Sequence, residues 1–255
     1  MLTDALRKKL ESNEQIICAF MRIPDPMIAE LMAVSGVELI IIDCEHFQFH
    51  VETVANVIRA ADIYGCSCFV RVSVAEDRHL IANALDMGAA GILLTDAEGA
   101  GDVRKAVDAM KYAPEGHRGV CTDSRMSRFG TMVSLQEHAA YYNHCTVLAV
   151  VIETMRSIEE LDEILAIPQV DIVSVGDADL SYALGHPGDT KHPKQLSLRN
   201  HIYEKILDAG KTALDKTPDK TAIKRAYQEG KRVFYIASDE TLIMNGIRDI
   251  IKFGG

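Results

Sequence analysis

No basic tract appears anywhere in this chain: 27 lysines and arginines are outnumbered by 37 aspartates and glutamates, for a formal charge of −10. A chain with that balance lacks the electrostatic footprint of a nucleic-acid partner. Also missing are an apolar run near the ~18 residues a membrane helix requires and a charged, then apolar leader at the N-terminus. A soluble, cytoplasmic protein with small-molecule or protein partners is the expectation. No Gly-x-Gly-x-x-Gly follows the first predicted strand, which argues against an open dinucleotide-binding sheet. The six cysteines, at 18, 44, 66, 68, 121 and 145, offer no disulfide framework, because several lie in strand-like apolar runs such as Ile17-Cys18-Ala19. They read as reduced core residues of a reducing compartment. Cys66 and Cys68 share one face of a strand without metal-site spacing.

The 255 residues are 48% hydrophobic, enough for a sizeable core. Apolar runs alternate with helical patterns along the chain. Strands are expected at 15–20, 38–43, 66–72, 91–95, 147–153, 170–175, 211–214 and 232–237. Helices are expected at 3–13, 27–36, 51–64, 78–87, 99–111, 134–142, 156–165, 197–209, 219–229 and 240–252. Eight strands alternating with helices, with no linker to divide them, predict one (β/α)8 TIM barrel over residues 1–255. The segment from Pro114 to Gly130, rich in glycine and arginine, is too long for an idle loop and reads as functional.

The stretch Leu39-Ile40-Ile41-Ile42 runs straight into Asp43-Cys44-Glu45-His46. Apolar residues without alternation suit a parallel strand covered on both faces, and its polar end falls where such barrels carry their chemistry. A plainer alternative is that Asp43 caps the next helix and His46 is an ordinary loop histidine. Collecting the other strand ends brings Arg71, Asp96, Glu153, Asp179 and Asp239 to the same mouth. So many carboxylates call for a cation. Glu153 and Asp179 follow apolar strands beside small residues, and such a pair suits Mg²⁺ or Mn²⁺; the competing role is a salt bridge to Arg71. Arg71 carries the planar fork that recognises a carboxylate or a developing enolate oxygen. His46 carries an imidazole, a side chain that can act as a general base. No lysine falls at a predicted strand end, Lys211 being the nearest, and Cys44 has no activating partner.

Six motifs in register, Ile-Ile-Asp43-Cys-Glu45-His46, Val-Arg71-Val, Leu85-Asp86-Met-Gly88-Ala, Gly116-His-Arg118-Gly119-Val, Val-Ile-Glu153-Thr and Gly176-Asp-Ala-Asp179-Leu-Ser, resemble the HpcH/HpaI aldolase family. These are metal-dependent class II pyruvate aldolases of the 4-hydroxy-2-oxoheptanedioate aldolase type. The resemblance implies reversible aldol cleavage of a 4-hydroxy-2-oxo acid to pyruvate and an aldehyde, through a metal-stabilised pyruvate enolate. It implies a divalent ion, Mg²⁺ or Mn²⁺ before Co²⁺ or Zn²⁺, on the residues matching Glu153 and Asp179. It further implies catalytic roles for His46 and Arg71, supported by Asp43 and Asp86, and a substrate held against Arg71, Gly176, Asp177 and Ala178. Hexamers, trimers of dimers with an exchanged C-terminal helix, are implied as well, with Asp86 or the 116–130 loop near a subunit boundary. Three departures bear on substrate choice: Val151 replaces a common glutamine, Asp177 a common proline, and the Cys121 to Arg128 loop differs. A citryl- or malyl-CoA-type lyase and a non-catalytic metal- or 2-oxo-acid-binding barrel are the alternatives.

Overall fold

The computed structural model describes residues 2–73, 77–131 and 134–251, with the side chains of Leu2 and Thr3 outside that description. Eight parallel strands close into a ring in sequence order: β1 (Ile16–Met21), β2 (Leu39–Asp43), β3 (Ser67–Val72), β4 (Gly91–Leu94), β5 (Val147–Ile152), β6 (Val170–Val175), β7 (Thr212–Lys216) and β8 (Val233–Ser238). The pairing of β1 with β8 completes the barrel. This is the (β/α)8 architecture that the strand–helix alternation predicts.

The apolar runs lack alternation because each strand is buried on both faces. Along β2, Leu39 and Ile41 join the barrel interior with Cys18, Phe69, Leu93, Ala149, Val151, Ile172 and Leu214. Ile40 and Ile42 face the helical layer with Cys68, Val70, Leu94, Val150 and Val173. Side chains two residues apart share a face. Continuing the interior set upward therefore delivers Phe20 and Arg22, Asp43, Arg71, Thr95, Glu153, Lys216 and Tyr235 to one end of the barrel, the C-terminal ends of the strands.

The outer layer comprises, among the described residues, α1 (Leu2–Glu11), α2 (Pro26–Val34), α3 (Val51–Ile63), α4 (Arg78–Met87), α5 (Ala100–Met110), α6 (Leu135–Cys145), α7 (Met155–Glu159), α8 (Leu161–Leu165), α9 (Asp177–Ala183), α10 (Pro193–Asp208), α11 (Lys220–Gln228) and α12 (Asp239–Ile251). Residue 252, expected at the end of α12, lies outside the described residues. The helix α1 closes the far end of the barrel, where Leu6 enters the interior cluster and Arg7 pairs with Asp171 at 2.6 Å. Several elements differ from expectation, among them α10, which starts at Pro193 rather than at residue 197, and α6, which continues to Cys145. The helix expected at 156–165 breaks at Glu160 into α7 and α8, α9 forms where no element is expected, and β7 runs two residues further, to Lys216.

Candidate active site

The strand-end residues surround a cavity of about 300 Å³ lined by Phe20, Arg22, His46, Arg71, Thr95, Val151, Glu153, Gly176, Asp177, Ala178, Asp179, Lys216 and Tyr235, among others. Asp43 and Arg71 are register partners on β2 and β3. Asp43 is fully buried and does not line the cavity. One oxygen, Oδ2, accepts from Arg22 Nε at 3.2 Å and Arg71 Nη1 at 3.4 Å, and Oδ1 accepts from the His46 backbone N–H at 3.2 Å. This carboxylate thus caps the turn that carries His46 and also anchors two arginines.

Arg71 is held from a second side by an ion pair with Glu45, whose Oε2 accepts from Thr95 Oγ1 at 2.8 Å. Charge-assisted contacts on two edges fix the plane of the guanidinium. The His46 ring is half exposed, its Nε2 lying 3.8 Å from Glu45 Oε2. Arg22 pairs with Glu240 at 2.6 Å besides Asp43, and its backbone N–H donates to both oxygens of Asp239, at 3.0 and 3.1 Å. Asp239 is therefore a clasp between β1 and β8.

Glu153 is buried in the opposite wall, where Oε1 accepts from the Asp96 backbone N–H at 2.7 Å. Asp96 acts through its main chain, at a φ of +55°. Burial pushes the Glu153 carboxyl up to about 7; the Asp96 hydrogen bond opposes this, and the negative charge of Asp179 adds to it. Gly176 makes room for this carboxylate, since a Cβ there would lie 2.1 Å from Glu153 Oε2. Asp179 follows in the first turn of α9, exposed on the cavity rim. Among the described residues no three His, Cys, Asp or Glu side chains gather as a metal cluster. Two carboxylates facing one cavity, with a glycine clearing space, are nonetheless a donor set that fits a hard divalent ion completed by substrate oxygens.

Asp177, which also lines the cavity, pairs with Arg199 at 3.3 Å, and burial raises its pKa against the pull of that arginine. Asp86 lies on α4, where Oδ1 accepts from the buried Arg118 at 2.5 Å, and it does not line the cavity. The segment 114–130 likewise contributes no cavity wall and packs through Arg118 and Arg125 against α3 and α4. Cys44 packs against the helical layer, and burial pushes its thiol up to about 12, so it is no nucleophile. Arg22 and Lys216 escape the sequence reading. Arg22 follows the end of β1 directly, the same signal that found the others, whereas Lys216 is hidden by a strand end placed two residues early.

The chain is 30% identical to the hydroxypyruvate/pyruvate aldolase of Pseudomonas aeruginosa over 244 residues, 96% of this chain and 90% of that protein. Its fold matches the crystal structure of an HpcH/HpaI aldolase from Desulfitobacterium hafniense DCB-2 with a TM-score of 0.88, at 28% identity and 98% coverage of both chains. It also matches the citrate synthase SbnG with a TM-score of 0.87, at 28% identity over 97% of this chain and 96% of that one. Residues 17–246 fit the sequence profile of the HpcH/HpaI aldolase/citrate lyase family, and the chain belongs to that family.

Proposed function

We propose that this protein is a pyruvate aldolase, a carbon–carbon lyase cleaving a 4-hydroxy-2-oxo acid reversibly to pyruvate and an aldehyde with the help of a divalent cation on Glu153 and Asp179. The observation that carries this reading is the convergence on one cavity of that carboxylate pair, the doubly anchored Arg71 and His46. In cleavage the C4 hydroxyl loses its proton, the C3–C4 bond breaks and its electron pair stays on C3 as an enolate, while the C4 oxygen becomes the aldehyde carbonyl. Protonation of C3 then gives the pyruvate methyl group. His46, open to solvent beside Glu45, takes and returns these protons. Arg71 directs N–H donors from a fixed plane toward the oxygen where enolate charge develops. Asp43 positions both groups from beneath. The cation supplies Lewis-acid polarisation of the 2-oxo acid oxygens when bound, and two carboxylates favour Mg²⁺ or Mn²⁺.

The same reading has the chain assembling as a hexamer, with Asp86 acting near a subunit boundary. The apolar residues that α12 leaves exposed support it. Among the described residues no helix is long and apolar enough to cross a membrane, and six free thiols suit a reducing, cytoplasmic setting.

The test is proton exchange. Protein loaded with Mg²⁺ or Mn²⁺ is incubated with pyruvate in deuterated water, and the methyl signal is followed by NMR. Loss of the signal that is abolished by chelation, and reduced about 100-fold or more in Arg71→Ala, is the expected result. Metal-dependent pyruvate binding without exchange would instead identify a non-catalytic binder.

A further inference from the structure

The strand β7 ends in an unpaired positive charge. Leu214 belongs to the barrel interior, so Lys216, two residues on, emerges from the same face at the mouth, where it lines the cavity. Asp215 lies between them on the opposite face, and its carboxylate is taken up by Arg199 and, at 2.7 Å, by Lys231. Asp177, whose carboxyl senses the charge of Lys216, is turned to Arg199. The other two cations on the wall are engaged, Arg71 by Asp43 and Glu45 and Arg22 by Asp43 and Glu240. Among the described residues Lys216 alone of the three has neither an ion pair nor a hydrogen bond for its ammonium group.

Its surroundings define what it can bind. Glu153, Asp179 and Arg71 commit the β3, β5 and β6 side of the cavity to the pyruvate half. The remaining sector, between β7, β8 and β1, is walled by Leu214, Tyr235 and Phe20, the two rings packed edge-on at 4.9 Å. An apolar wall with one ammonium at its rim that no ion pair or hydrogen bond occupies suits a short aliphatic chain ending in an anion. Schiff-base lysines are desolvated in apolar pockets or placed beside other cations. Lys216 is exposed, and the charge it shares a wall with is Asp177.

Resting on the aldolase reading, we propose that Lys216 is the specificity-determining residue of the aldehyde half, binding the carboxylate of an acidic aldehyde. In the condensation direction the enolate C3 forms the new bond to the aldehyde carbon and the carbonyl oxygen takes up a proton. Lys216 makes and breaks no covalent bond and orients the acceptor by its far end.

The experiment compares kcat/KM of the metal-loaded full chain for glyoxylate against acetaldehyde, and for succinic semialdehyde against pentanal. The acidic member of at least one pair is expected to be favoured about tenfold or more, the size of one charge-assisted hydrogen bond at a mouth open to water. Lys216→Met abolishes that preference and Lys216→Arg retains it. No preference in the unmodified protein, an equal loss on both members of a pair in Lys216→Met, or borohydride trapping of pyruvate on Lys216 each overturns the proposal. Pyruvate exchange in deuterated water on the same samples separates the two levels. Intact exchange without acceptor preference defeats the Lys216 assignment alone, whereas absent exchange defeats the aldolase reading and this inference with it.

Discussion

Gly176 decides where Glu153 can stand. Its φ of −84° is open to any residue, so what demands glycine is space: an added Cβ would meet Glu153 Oε2 at 2.1 Å and Glu153 Cβ at 2.7 Å. Gly176→Ala should therefore leave the barrel folded, by circular dichroism and urea midpoint, while lowering aldol cleavage about 100-fold through a displaced carboxylate. Wild-type activity in that variant would mean that Glu153 is not held where the chemistry needs it. A second buried residue tests the far end of the barrel. The Lys111 ammonium donates to Asn143 O, Thr146 O and Thr146 Oγ1 at 2.6, 2.8 and 3.0 Å, and burial pushes its pKa down to about 8. Both the folded and the unfolded chain hold this proton below pH 8. Between about 8 and the ordinary lysine value near 10.4 only the unfolded chain keeps it, so stability from this site rises with pH across that window. Lys111→Met should cost about 2 kcal/mol at pH 7, by leaving buried carbonyls without a donor, and should flatten that rise. Urea unfolding at pH 7 and pH 9.5 reads both effects.

At the scale of elements, strand ends and helix starts were legible wherever one feature marked them. The junction of β5 with α7 is the clearest: Val147 to Ile152 is apolar throughout, Glu153 ends the run, and Thr154 opens the helix with a reciprocal capping box to Ser157. Thr154 also donates to Ala97 O at 3.1 Å, tying this turn to the one after β4. Thr154→Ala should destabilise the protein by about 1 kcal/mol in urea titration, and should weaken metal binding measured by calorimetry because Glu153 is the adjacent residue. Less was legible where the pattern mixed polar and apolar residues. In Thr212-Ala-Leu-Asp-Lys216, Asp215 interrupts the apolar pattern, and the partners that let it be buried, Arg199 and Lys231, are 16 positions away on either side. The strand end, and with it Lys216, was lost for that reason. The packing of the glycine- and arginine-rich segment 114–130 was not legible either. Arg118 and Arg125 serve Asp86 and Asp62 on the outside of the barrel, a tertiary pairing that spacing along the chain does not encode.

For the whole molecule, the decisive feature is how much apolar surface α12 leaves uncovered by its own chain. Of its 13 residues only Asp239 is buried, and Ile247, Ile250 and Ile251 are 53, 79 and 73% exposed. Beside it, Ile28, Leu31, Val37, Leu242 and Ile243 line an apolar groove of about 250 Å³ between α2 and α12. Leaving that much apolar surface in water is unfavourable by about 25 cal/mol for each Å², and association removes the cost. In the proposed hexamer this surface is covered by other copies of the chain. The paired substitution Ile247→Glu and Ile250→Glu should then shift sedimentation velocity from a single large species to dimers or monomers. If the cavity is completed across a boundary near Asp86, activity should fall with the same concentration dependence as assembly. A protein that sediments as a monomer before substitution, or activity that persists undiminished in the dissociated variant, would confine the site to one barrel.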